Sequence, residues 1–436
     1  MFFGSEFGVV TFQVGTPPKV ISSYFAPFAT LKNFAILLKL YLTKPAINFE
    51  TLPGSATPKD SKKLILLYMF LVFSAFSLNI FALITIYAYS RAKTSRICLL
   101  FYRVIKVNKK KFIIDADTGS DDAVAILMAL RDPRVEVLGI TIVSGNVPLK
   151  QGIVNTLATA ELCDTEVKVY AGADKPLNRE YKELYTLDEF ASHVKSLSPV
   201  SASAQCVHGV DGMGDIGIEP LNKKYEDKNA IDYVVNSFNE NPNEITLVTL
   251  GPLTNVANAI QKDPSIVDKI EHCYVMGGTS DGTGNVSSAA EYNIWVDPEA
   301  AKIVFNSGLQ ITMVGWDNSY KYAMLKDKEM NNLKLLKTKY ADFCVDIQKT
   351  LIKLTYATYG FYGFDLPDPI TMAIAIDNKL IVESQQLHVV VDTRDGITRG
   401  QTIVDYFNAE KEDQNIRVVT KSDEKGFLNL LLELVK

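Results

Sequence analysis

"DADTGSDDAVAI", residues 115–126, joins the end of an apolar run, "KFIID", to a stretch with helical spacing, and its reading decides the architecture around it. Asp115 closes a strand, Asp117 follows it, Gly119 permits a tight turn, and Asp121 and Asp122 stand where a helix begins, with Ser120 placed to cap it. A helix N-terminus favours one or two acids by on the order of 1 kcal/mol each. Four carboxylates within eight positions repel one another by more than that terminus returns, and a bound cation resolves the conflict. An oxygen-only set with no His or Cys close by suits a hard ion; Ca2+ accepts irregular geometry, whereas Mg2+ insists on an octahedron. The plainer alternative is a solvated acidic turn.

Outward from this turn, from Lys111 onward, short apolar runs ("KFIID", "VEVLGITIV", "VKVYAG", "EITLVTLG", "HCYVMGG", "LQITMVGW", "LHVVVD") alternate with helical spacing over Ala123–Arg131, Gln151–Leu162, Ala230–Asn239 and Leu253–Gln261. Near-continuous apolar strands between helices predict an α/β fold: a single large domain with a mainly parallel sheet flanked by helices. Ligands in such folds gather where the strands end. Further oxygen donors stand at those ends. "VTLGPLTN", residues 248–255, frees the Leu250 carbonyl at a Gly-Pro pair, and "GFDLPDPITMAIAID", residues 363–377, sets Asp365 and Asp368 before an apolar helix. Taken singly, each fits ordinary turn chemistry better than ligation. No internal repeat or low-complexity linker divides the region, so residues 107–436 read as one domain.

The first 111 residues carry 15 Lys/Arg against 3 Asp/Glu, a balance of +12 in a chain of 436 residues whose remainder stands at −17. Leu64 to Tyr89 is apolar and free of formal charge, longer than the roughly 20 residues that cross a bilayer, and predicts a transmembrane helix. Residues 1–63 then form an unassigned leader and 90–106 a basic linker. Arg91, Lys93, Arg96, Arg103 and Lys106 outnumber Lys59, Lys62 and Lys63, which predicts a membrane-anchored protein with a cytosolic catalytic domain. A soluble cytoplasmic protein is the alternative if the leader is absent. Five dispersed cysteines without a CxxC pair argue for reduced thiols. The acidity of the domain disfavours nucleic acid as a partner.

The motifs together resemble the nucleoside hydrolases of the inosine/uridine-preferring type. They are "DADTGSDDAVAI", "SGNVPL" at 144–149, "HGVDGMG" at 208–214, "LGPLTN" at 250–255, "MGGTSDGTGNVSSAAEYNIWVDPEAA" at 276–301 and "LPDP" at 366–369, in the family's order; residues 1–106 lie outside the likeness. The resemblance implies Ca2+-dependent hydrolysis of the N-glycosidic bond of ribonucleosides to ribose and free base, in nucleoside catabolism or purine salvage. By the same resemblance Asp117, Asp122, the main-chain carbonyl of Leu250 and Asp368 are the metal ligands, and Asp121 is the general base acting on metal-bound water. Asn146, Asn285, Glu291 and Asn293 contact the ribose, Met276 lies near the sugar, Asp115 supports the cluster, and His208 serves the base or leaving group. A homo-oligomer is compatible with it.

The assignment is physically coherent. Loss of the base leaves positive charge on the sugar, which an anionic pocket stabilises. Calcium can hold a water beside vicinal hydroxyls, and amides together with a carboxylate both donate to and accept from such hydroxyls. Glycosylation at the sequon Asn285-Val286-Ser287 would block the site. The clearest departure is Pro367, where some family members carry a proton-donating His. Tyr356, Tyr359 and Tyr362 could stack on a base or donate a hydroxyl, although such a stretch more often packs; Trp295 reads as core. Two alternatives differ in class. One is a haloacid dehalogenase-type phosphatase, with Asp115 as nucleophile, Asp117 as acid/base and Mg2+. The other is a non-catalytic, membrane-tethered nucleoside-binding protein.

Overall fold

In the computed structural model, residues 109–177, 207–222 and 224–436 are described. The central strand β1 (Lys110–Ala116) is buried from Phe112 onward, as expected of an apolar strand covered on both faces. It runs parallel to β2 (Val135–Ile142) on one side and to β4 (Ile245–Thr249) on the other. β3 (Val169–Ala171) extends the first side, and β5 (His272–Met276) and β6 (Ile311–Val314) extend the second, all parallel. Strand order therefore reverses between β1 and β4, opening the crevice where ligands of such sheets bind. Among the described residues the sheet has nine strands, completed by β9 (Ile381–Val391), β10 (Thr402–Asp405) and β11 (Ile416–Ser422). β11 is parallel to β6, but β9 is antiparallel to both β11 and β10. A two-stranded antiparallel ribbon joins β7 (Met324–Lys326) to β8 (Gly363–Asp365).

Helix α1 (Ser120–Arg131) starts at the turn after β1, and its stretch Ala123 to Ala129 is buried on every side. That explains why its sequence is apolar all round rather than striped. Burying Ile126, Leu127 and Met128 contributes roughly 2 kcal/mol each. Helices α2 (Leu149–Leu162), α3 (Ala230–Glu240) and α4 (Thr254–Lys262) follow β2, precede β4 and follow β4. Beyond β5 lie the short α5 (Tyr292–Val296) and α6 (Pro298–Phe305), and β6 leads into α7 (Trp316–Tyr322). Helices α8 (Asp327–Leu335), α9 (Lys339–Asp346) and α10 (Lys349–Tyr359) lie between the ribbon strands. α11 (Pro367–Ile376) is almost wholly buried and packs on α1, and α12 (Glu424–Leu434) closes the chain.

The mainly parallel α/β sheet agrees with expectation, and each expected helix lies within a few residues of the observed one. The expected transmembrane helix, Leu64 to Tyr89, falls outside the described residues. Membrane anchoring is nonetheless corrected: no helix among the described residues is long and apolar enough to cross a membrane. The membrane-anchored assignment is withdrawn. Of the five cysteines, Cys163, Cys273 and Cys344 are buried free thiols, as expected of structural cysteines.

Candidate active site

β1, α1 and α11 build the centre of the site. Asp121 and Asp122 occupy the first turn of α1, and Asp368 the first turn of α11 behind Pro367, whose missing N–H suits a helix start. Because the two helices pack together, these three carboxylates meet: one oxygen from each lies within 4.8 Å of the others. All are buried, at 8%, 0% and 2% exposure. Asp121 Oδ1 and Asp122 Oδ1 have no hydrogen-bond partner, and neither does Asp115 Oδ2 beneath them. Burial, then the charge of Asp121, pushes Asp122 up to about 7. Burial, then the charges of Asp121, Asp122 and Asp117, raises Asp368 well above the usual carboxylate range. Uncompensated buried carboxylate oxygens in this number are costly, and a hard cation is the group that satisfies them. The donor set therefore fits a divalent ion.

Ser120 is the first helical residue rather than the cap. Gly119 is the cap, and its N–H donates to Asp122 Oδ2 at 2.9 Å. Asp117 lies beside the triad, with Oδ2 accepting from the Asn146 N–H at 2.6 Å. The Asn146 side-chain amide spans Asp117 Oδ1 and Asp122 Oδ2 at 3.4 and 3.5 Å. Two glycines make room for this carboxylate: a Cβ at Gly145 would stand 2.0 Å from Asp117 Oδ2, and one at Gly251 2.8 Å from Oδ1. Burial, followed by the Asp122 charge, raises Asp117 well above its usual range.

The opposite wall comes from β4 and the segment between β5 and α5. The Leu250 carbonyl accepts from Asn293 Nδ2 at 2.6 Å, and the same amide reaches Met276 O at 3.3 Å and Met276 Sδ at 3.1 Å. Leu250, Met276 and Asn293, all expected at the site, are thus gathered by one amide. Glu291 caps α5: Oε1 accepts from the Asn293 N–H at 3.0 Å, and Oε2 from the Gly278 N–H at 2.8 Å. Burial outweighs those bonds and pushes Glu291 up to about 7. Asn285 is exposed, and its Oδ1 accepts from the Tyr292 N–H at 2.9 Å, so it braces the start of α5.

His208 is buried over the start of α1. Its Nδ1 receives the Ser120 N–H at 3.3 Å, contacts Ser120 Oγ at 2.9 Å and lies 3.6 Å from Asp121 Oδ1. Burial lowers its pKa, with Asp121 opposing. Asp365 does not join the triad; Trp316 Nε1 and Ser319 Oγ donate to its Oδ2 at 3.0 and 2.6 Å. Tyr356 and Tyr362 stack on each other with centroids 4.3 Å apart, and Trp295 is half-buried in α5.

Several supporting residues escaped sequence reasoning. Thr141 Oγ1 and Asn255 Nδ2 donate to Asp115 Oδ1 at 2.5 and 2.8 Å, and Ser120 Oγ donates to Gln348 Oε1 at 2.9 Å. Asn255 lies inside "LGPLTN", a motif that marks the segment without defining this side chain's role; Thr141 and Gln348 carry no local signal. Burial pushes Asp115 up to about 7 against the two bonds that lower it. Asn255 Oδ1 also accepts from the Ala173 N–H at 2.8 Å. Asn255→Ala should therefore remove one of the two bonds to buried Asp115 Oδ1 and leave the half-buried Ala173 N–H unpaired, cost about 1–3 kcal/mol, and lower Tm by several degrees. A thermal unfolding curve matching the wild type would refute this bracing.

The family model for inosine-uridine preferring nucleoside hydrolases matches residues 112–429. The chain belongs to this family. The pyrimidine-specific ribonucleoside hydrolase RihB of Escherichia coli (strain SE11) is 32% identical over 330 residues, covering 76% of this chain and 98% of the relative. A plant nucleoside hydrolase, PpNRh1, superimposes with a TM-score of 0.67 at 32% identity, over 75% of this chain and 98% of its own. The purine-preferring ribonucleoside hydrolase from Gardnerella vaginalis gives a TM-score of 0.65 at 34% identity, over 75% and 98%. As a nucleoside hydrolase the protein is an enzyme, an N-glycosyl hydrolase, which disfavours the non-catalytic binding protein. The phosphatase alternative is also disfavoured by the family match, and Asp115, the nucleophile it requires, is buried to 1% exposure.

Proposed function

We propose that residues 107–436 hydrolyse ribonucleosides to ribose and free base with the help of Ca2+. The observation that carries this reading is the buried triad Asp121, Asp122 and Asp368 with its unpartnered oxygens at the crevice between β1 and β4. Asp117, Asp122, Asp368 and the Leu250 carbonyl would hold the ion. When bound, the ion neutralises the carboxylates and makes a water easier to deprotonate.

The protein's own groups then act as follows. Asn146, Glu291 and Asn293 bind and orient the ribose hydroxyls, with Asn285 bracing their wall and Met276 lying against the sugar. Asp121, whose Oδ1 has no hydrogen-bond partner, accepts the proton of the attacking water. Water oxygen bonds to the sugar C1′ as the bond from C1′ to the base nitrogen breaks, and the carboxylates stabilise the positive charge that develops. The departing base takes up a proton, and His208, buried beside Asp121, is the side chain that would supply it. Pro367 has no proton to give.

A panel of inosine, guanosine, adenosine, uridine and cytidine, assayed with added Ca2+ and again after chelation, tests the reading. Release of ribose from at least one nucleoside, lost on chelation and restored by Ca2+, is expected. The similar proteins are named for pyrimidine and for purine substrates, so both classes belong in the panel. Phosphate release from p-nitrophenyl phosphate with no ribose from any nucleoside would overturn it.

A further inference from the structure

Tyr292 has none of the roles above, yet it stands between Glu291 and Asn293 at the start of α5. Its hydroxyl donates to the Gly145 carbonyl at 2.9 Å, across 147 residues of sequence. Gly145 immediately precedes Asn146, whose N–H holds Asp117 Oδ2. The loop from β2 to α2 is also tied by the Val143 N–H to Ala116 O and the Ser144 N–H to Ala173 O, both at 2.9 Å, and by an internal Gly145 N–H to Val147 O bond at 3.2 Å. Burial, with the charges of Asp117 and Glu291, raises the Tyr292 pKa and keeps the phenol a donor. One side chain thus joins the two walls that carry the sugar contacts.

We propose that Tyr292 is a positioning residue: its hydroxyl fixes the Gly145 carbonyl, so that Asn146 stays across Asp117 and Asp122 at a set distance from α5. The consequence for catalysis rests on Asn146, Glu291 and Asn293 contacting ribose, as proposed above. The restraint itself does not, since it can be measured without substrate. A phenylalanine keeps the ring and removes only the bond to Gly145.

The test compares the full chain with Tyr292→Phe, Tyr292→Leu and a surface control, Tyr225→Phe, by hydrogen exchange, thermal unfolding and steady-state kinetics. For Tyr292→Phe, amide exchange across residues 144–147 should quicken at least about threefold, and KM for the best nucleoside should rise roughly 3- to 10-fold, with kcat within about twofold. Tyr292→Leu should lose thermal stability as well. Recovery of Tm in the phenylalanine variant without recovery of KM separates the hydroxyl from ring packing. Exchange at 144–147 equal to wild type in Tyr292→Phe overturns the proposal, whatever KM does. If the wild type cleaves no nucleoside, the functional reading fails while exchange alone still decides the restraint: quickened exchange upholds it and unchanged exchange ends it.

Discussion

Asp121→Asn is expected to lower kcat by about a hundred- to ten-thousand-fold, the usual contribution of a positioned general base. Asparagine has nearly the same shape, so little packing is lost. Asp121 Oδ1 has no hydrogen-bond partner to forfeit, and its charge repels Asp122 and Asp368. The variant should therefore unfold no earlier than wild type when metal-free. KM should move far less than kcat, because no proposed sugar contact is touched. Asp368→Asn offers a contrast: it removes a proposed ligand and should weaken Ca2+ binding together with turnover. Rapid-quench or coupled-assay measurement of kcat at saturating nucleoside decides the matter, and turnover within tenfold of wild type would remove Asp121 from the role of base.

Removing the ion should abolish turnover and also change how stability depends on pH. Asp115, Asp122 and Glu291 each stand at about 7 in the folded chain, against about 4 for an unfolded carboxyl. Between those values the folded state binds more protons than the unfolded one, so metal-free stability falls as pH rises through that window. Asp392, held low by the Arg394 guanidinium, is ionised throughout it and contributes no opposing slope. The chelated protein should thus melt at a higher temperature at pH 5.5 than at pH 8. Ca2+ at a hundred times its Kd should restore about 2.7 kcal/mol. At one fixed Ca2+ concentration the effect should be larger at pH 8, where fewer protons compete for the carboxylates and Kd is lower. Calorimetry at both pH values checks the sign: a chelated protein at least as stable at pH 8 as at pH 5.5, with Ca2+ causing no shift, would contradict the ion-binding cluster.

Much of this was legible along the chain. Continuous apolar runs such as "KFIID" and "EITLVTLG" belong to strands covered on both faces, and the acids of "DADTGSDDAVAI" stand at a strand-to-helix turn, because side-chain period and turn chemistry are local properties. The antiparallel β9 was less plain. "LHVVVD" reads as another parallel strand, although Val389 and Val391 are buried and Val390 is exposed, an alternation that marks a half-solvated position in the sheet.

The sequence by itself determined that carboxylates would crowd the start of α1 and that oxygen donors would stand at other strand ends. Only the tertiary structure decided which of them meet. Asp368 joins Asp121 and Asp122 while Asp365, three residues earlier, turns to Trp316 and Ser319. Asn255 reaches Asp115 across 140 residues, and Tyr292 reaches Gly145 across 147. The reason is physical: strand and helix periodicities fix where a side chain points within its own element, whereas the distance between two elements is set by the packing of α1 on α11 and by the order of strands in the sheet.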